Sequence, residues 1–130
     1  MKQLKLLFLP LLPALLMACH SDTTNGDDIK AFIPGVYVAP IRSEYSKGED
    51  TLLIGVFDAR VNTYVIFKHS GYQRIKEGII QPKQYAREKW MAVYDESSHV
   101  LQALKSGRLF IFSPQKHCLL LGTVEYKKIK

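Results

Sequence analysis

The sequence predicts an all-β domain: a single small antiparallel meander, curled into a sheet or a barrel. Three observations carry that expectation. Runs of β-branched and aromatic residues recur at near-regular spacing. Gly, Pro, Asp, Asn and Ser fall between them, where chain reversals need left-handed or fixed φ values. Several runs are apolar on both faces, which suits a sheet that closes on itself or is covered.

Val36 to Ile41 is the first run, set off by Pro34-Gly35 and containing Pro40. Thr51 to Phe57 alternates, with Leu52, Ile54 and Val56 on one face and Leu53, Gly55 and Phe57 on the other. Asp58 to Asn62 is turn-like, and Thr63 to His69 rises again with Tyr64 and Ile66 opposite Val65 and Phe67. Two alternating runs across a few turn residues read as a hairpin. Gln81 to Lys89 reads as a short helix or a long loop. Lys89 to Tyr94 places Trp90, Ala92 and Tyr94 on one face, with Met91 and Val93 opposite. Asp95 to Ser98 is a turn, and Val100 to Leu104 is a short strand. Ser106-Gly107 turns the chain into Leu109 to Phe112, and Ser113-Pro114 starts another turn with the fixed φ of a type I turn. His117 to Lys128 closes the chain, with Gly122 marking a bulge or bend. Short strands with turns between them make a meander, lipocalin-like in architecture.

The N-terminus is of another kind. Lys2 and Lys5 precede a short apolar run, Leu6 to Ala18, that contains Pro10 and Pro13. A membrane-spanning helix needs about 20 apolar residues, so this run reads as a secretory signal. Leu16-Met17-Ala18-Cys19 resembles the lipobox of bacterial lipoproteins, with an aliphatic residue three before the cysteine and a small one directly before it. Met17 is a less common choice at its position. The resemblance implies cleavage before Cys19 and lipid on its thiol. Two or three acyl chains, at about 0.8 kcal/mol per buried methylene, give stable attachment to a membrane. The expected organisation is therefore a lipoprotein signal peptide over 1–18, a lipidated cysteine with a flexible tether over 19–32, and a β-rich globular domain over 33–130. An aspartate directly after the cysteine favours the inner membrane in proteobacterial lipoproteins, and His20 stands there instead, which points to the outer membrane. Asp22, Asp27 and Asp28 loosely resemble the acidic export signals of surface lipoproteins in Bacteroidetes, and read equally well as a solvated linker.

Removal of 18 residues leaves 112, the length of one domain. A domain of that size buries roughly 65% of its unfolded surface, enough for a core without metals or disulfides. The 18 basic residues include Lys2 and Lys5, so the processed chain sets 16 against 12 acidic residues, a balance of +4. So small an excess makes no case for a nucleic-acid binder. With Cys19 lipidated, Cys118 is the remaining cysteine and an internal disulfide is excluded.

Candidate sites are weak. Cys118 could act as a nucleophile with His69 or His99 as base, since its strand neighbour His117 points to the other face. A small buried hydrophobe is the simpler reading. Asp95, Glu96 and His99 lie close in sequence, but turn chemistry already explains them and zinc needs three or four converging ligands. Lys68, Arg74, Lys76, Lys83, Arg87 and Lys89 interleave with Tyr64, Phe67, Tyr72, Tyr85 and Trp90. That pattern can stack and pair with an oligonucleotide, or simply serve strands with aromatics inward and lysines outward. No phosphate-binding glycine loop, nucleophile elbow or paired-carboxylate signature is present. No cofactor and no metal are expected.

Gly35-Val-Tyr-Val38, Asp50-Thr51-Leu52, Trp90 to Asp95, Gly107 through Phe112 to Pro114, and Leu121-Gly122 with Tyr126 to Ile129 resemble a family of small uncharacterised lipoproteins of Bacteroidetes, often associated with conjugative transposons. The resemblance runs from about Pro34 to Ile129 and rests on turn and core residues. It implies a shared fold and an accessory role at the cell envelope, in conjugative transfer, with no catalytic residue to carry over. The expected partners are the membrane, through lipid on Cys19, and an envelope protein complex, with no nucleic acid. The alternative is a small β-barrel that binds an apolar or aromatic ligand.

Overall fold

Alternating residues build long ladders here, and in the computed structural model, which describes residues 26–130, those ladders close on themselves. In chain order the elements are α1 (Gly26–Phe32), β1 (Gly35–Arg42), β2 (Ser46–Asp58), a 3-10 turn (Ala59–Val61), β3 (Thr63–Lys76), β4 (Ile79–Ile80), β5 (Gln84–Asp95), β6 (Val100–Ala103), β7 (Leu109–Ser113), β8 (Cys118–Leu121) and β9 (Val124–Lys128). Eight strands pair antiparallel, each with the next, in the ring β1-β2-β3-β5-β6-β7-β8-β9. β9 returns to β1 through Tyr37↔Lys128 and Val38↔Lys127. β4 stands off the ring, paired with the end of β3. The expected all-β meander is a closed eight-stranded up-and-down barrel.

The turns follow local chemistry. Asp58 accepts a hydrogen bond from the Arg60 amide at 3.0 Å, and Asn62 takes a left-handed φ of 50° to enter β3. Gly122, with φ 63°, makes a tight turn between β8 and β9 rather than a bulge.

Inward positions fill the barrel. Tyr37, Leu52, Ile66, Leu101, Phe110, Leu119 and Tyr126 are almost wholly buried in one cluster. Tyr64 lies beside Ala92, and Ala92 beside Ala103, so small residues leave room for the rings around them. Each large apolar side chain buried this way contributes about 1.5–3 kcal/mol. Val56 keeps the inward phase but is half exposed, because the ladder shifts between Val56 and Asp58.

Residues 26–32 differ from the tether expected there. Ile29, Phe32 and Ile33 are spaced i, i+3, i+4, one face of a helix, and they pack on the core, Ile29 and Phe32 from α1 and Ile33 directly after it. The Tyr37 hydroxyl reaches the carbonyls of Phe32 (2.8 Å) and Ile33 (2.9 Å), and the Lys128 ammonium donates to Phe32 as well. Lys30 bonds Glu96 in the β5–β6 turn. α1 therefore caps one end of the barrel. Gln81 to Lys89, expected as helix or loop, is largely strand: β5 begins at Gln84 and pairs with β3 from Tyr72↔Gln84 onward. Its exposed, charge-rich sequence lacks the apolar alternation that announces a strand.

Candidate functional site: the barrel mouth and the projecting sheet

Strand lengths are unequal, and this inequality builds the site. β2, β3 and β5 have 13, 14 and 12 residues, against 4 or 5 for β6 to β9. The surplus lies at the end opposite α1. There β1, β2, β3 and β5 continue as a curled sheet that rises roughly 20 Å above the short-stranded rim, at about 3.3 Å per residue. β1 pairs with β9 only at Tyr37 and Val38, and β5 pairs with β6 only from Ala92 onward. Above those points both edges of the sheet lack a strand partner among the described residues.

The projection is built as ordered sheet. Ser43 Oγ accepts from the amides of Tyr45 (3.2 Å) and Ser46 (3.1 Å), fixing the β1–β2 turn, and the Ile75 amide donates to the Tyr45 carbonyl at 2.7 Å. Gly48 backs onto Gly71 so closely that a Cβ there would stand 2.0 Å from the Gly71 carbonyl oxygen. Tyr45 and Tyr85 are about three-quarters exposed, at 74% and 73%, and Ile79 and Ile80 are also exposed.

At the mouth below, the inward phase carries polar groups. Asp50 precedes Leu52 and Ile54 on the inward face of β2, and its Oδ2 accepts from the Tyr126 hydroxyl at 3.3 Å, with Lys68 Nζ at 3.8 Å. Its Oδ1 is buried and has no hydrogen-bond partner. Lys68 also lies 6.0 Å and Arg108 5.1 Å from the centre of the Trp90 ring, which packs on Phe110 at 5.9 Å. Burial, and then the Asp50 carboxylate, push the Tyr126 phenol well above its usual range. The cluster offers an indole face, two cations and one carboxylate. Such a set can bind and orient a polar or aromatic group.

The chain matches no family model, no curated protein and no solved structure.

Of the residues singled out from sequence, Cys19 lies outside the described residues. Cys118 is a free, buried thiol on the outer side of β8, and burial, then Glu125, raise it above its usual value. Asp95 accepts from the Ser97 amide and hydroxyl, Glu96 pairs with Lys30 and Asn62, and His99 Nδ1 meets the Tyr94 hydroxyl at 3.1 Å. The three therefore spend their polar atoms separately. Among the described residues no three His, Cys, Asp or Glu side chains are grouped to hold a metal. The cation–aromatic series divides between surfaces. Tyr64 is in the core, and Lys89 lies over Phe67 (5.7 Å) and Lys83 over Tyr85 (5.6 Å) outside, while Lys68 and Trp90 line the mouth. Asp50, Arg108 and Tyr126 were not among the sequence candidates. The signal for Asp50 was a carboxylate in phase with Leu52 and Ile54.

Proposed function

We propose that this protein is a lipid-anchored accessory protein of the bacterial cell envelope that works by docking onto other envelope proteins, in conjugative transfer. The observation that supports this best is the pairing of a filled barrel with a sheet that outruns it. The interior is occupied by its own side chains, whereas the projection exposes aromatic and aliphatic groups and unpaired strand edges. A ligand-holding barrel would need interior volume that Tyr37, Phe110 and Tyr126 already occupy. Anchoring through Cys19 supplies an orientation. Six residues lie between Cys19 and Gly26, and the seven steps from one to the other reach at most about 25 Å, so the α1 end sits towards the bilayer and the projecting sheet away from it. The outer membrane is the membrane proposed, on His20.

The test is in-cell crosslinking of the anchored protein with mass spectrometry, beside a Cys19→Ser control. Defined envelope proteins recovered only with the intact anchor are the expected result. Confirmed lipidation without any recovered partner would count against docking.

A further inference from the structure

The two free edges of the projecting sheet are not equivalent. On β1 the unpaired stretch contains Pro40, which has no amide hydrogen to offer. On β5 the stretch from Gln84 to Trp90 contains neither proline nor glycine. The hydrogen bonds fix which of its groups face outward along the ladder. The Met91 carbonyl accepts from the Leu104 amide on the β6 side, and the Tyr94 amide donates to Asn62 on the β3 side. With the β3–β5 register unbroken from Gln84 to Val93, odd-numbered residues turn their peptide groups away from β3. Tyr85, Arg87 and Lys89 therefore present N–H and C=O groups to a lane beside β5 that no described strand occupies. That is a template for one more strand.

The lane ends in a pocket. Where β6 diverges from β5, Lys89, Trp90, Met91, Leu104 and Lys105 enclose about 320 Å³, largely apolar and rimmed by the two lysines. Arg87 and Lys89 stand on the lane strand itself and Lys105 across its lower end, with Glu88 on the opposite face of β5. Cations on an edge discourage a second copy of the same strand. A two-fold pairing of β5 centred on Arg87 would set Arg87 against Arg87, and one centred on Ala86 would set Lys83 against Lys89. The same charges attract an acidic strand.

We propose that the β5 edge accepts an extended acidic segment of a partner protein as an added strand, bonded to the peptide groups of Tyr85, Arg87 and Lys89 and anchored by an apolar side chain in the Trp90–Leu104 pocket. This rests on the docking reading above and names its site and the chemistry of its partner.

The test uses the lipid-anchored protein, purified from membranes, in detergent micelles. The probe is a fluorescein-labelled octapeptide alternating glutamate with valine and carrying one phenylalanine, read by anisotropy against a copy with lysine for glutamate. The acidic peptide binds at least roughly tenfold more tightly than its lysine copy. Arg87→Gln, which keeps the amide, weakens it by about threefold. Arg87→Pro, which also deletes an edge donor without touching the β3 ladder, weakens it by roughly tenfold. Lys89→Glu with Lys105→Glu, both on the surface, abolishes the preference for the acidic copy. No binding of the acidic peptide, equal binding of both peptides, or Arg87→Pro behaving like Arg87→Gln would overturn the proposal. In cells, a photocrosslinking residue in place of Tyr85 or Leu104 forms adducts. Adducts from Ile111 and Leu120 alone would leave docking standing and remove this edge as its site, and no adducts from any of the four would count against docking itself.

Discussion

The capped end of the barrel and the projecting sheet are made from the same strands, yet their inward faces have opposite character. On β3 the inward series begins Tyr64, Ile66 and continues Lys68, Ser70, Tyr72, Arg74. On β5 it runs from Tyr94 and Ala92 through Trp90 to Glu88, Ala86 and Gln84. The change occurs where the opposing wall stops. Opposite Tyr64 and Ala92 stand β7, β8 and β9, and burial against them stabilises apolar side chains. Above the rim the described residues form no opposing wall, so the same phase is free to carry charge. Alternation in a strand thus reports that a residue lies on a face, and the partner across the gap decides whether that face is interior.

The sharpest way to break the comparison is to truncate one ring on each side. Phe110→Ala empties a fully buried position and should cost about 3–5 kcal/mol of unfolding free energy in urea melts. Tyr85→Ala on the projection should stay within about 0.5 kcal/mol. Equal losses would mean that the projection is part of the core after all. A middle-sized effect belongs to the cap. Tyr37→Phe removes the hydroxyl that holds the last carbonyls of α1, and should cost about 1–2 kcal/mol and speed amide exchange over 29–33. The smallest effect is a pH dependence of the same cap. The Lys30 ammonium, bonded to Glu96, holds that carboxyl below its usual value. A carboxyl depressed in the folded state contributes stability that is complete above the ordinary carboxylate range and is lost as pH falls through the depressed value. Protection of the α1 amides, taken relative to their intrinsic exchange rates at each pH, should therefore fall on acidification, and Lys30→Ala should flatten that response.

Much of this fold could be read from residues alone, and what could not has a physical reason. The β2–β3 hairpin announced itself because Leu52, Ile54, Tyr64 and Ile66 keep one phase across the Asp58–Asn62 turn. The short strands β6 to β9 stood out because turn residues frame them. α1 did not, since its apolar face is three residues long and is preceded by Asp27 and Asp28. The first half of β5 was hidden because Gln84 to Lys89 is exposed on both sides, so burial had written no alternation into it. Closure of the ring was undecidable from periodicity, which describes each strand and not its neighbour. The mouth was half legible: Trp90 and Lys68 were visible as types, whereas their meeting with Asp50, Arg108 and Tyr126 depends on five different strands and turns.

The β9–β1 seam also dictates an order of events. Every other junction in the ring joins strands that follow one another closely, whereas this one brings Lys128 to Tyr37, and the Val36 and Ile129 backbones lock it further along. The ring cannot close until its final strand has left the ribosome and, if exported, crossed the membrane. Such long-range closure is slow relative to the local hairpins. Until then β1 and the incomplete barrel wall stand open, a window in which a chaperone that shields unpaired strands would have most to do.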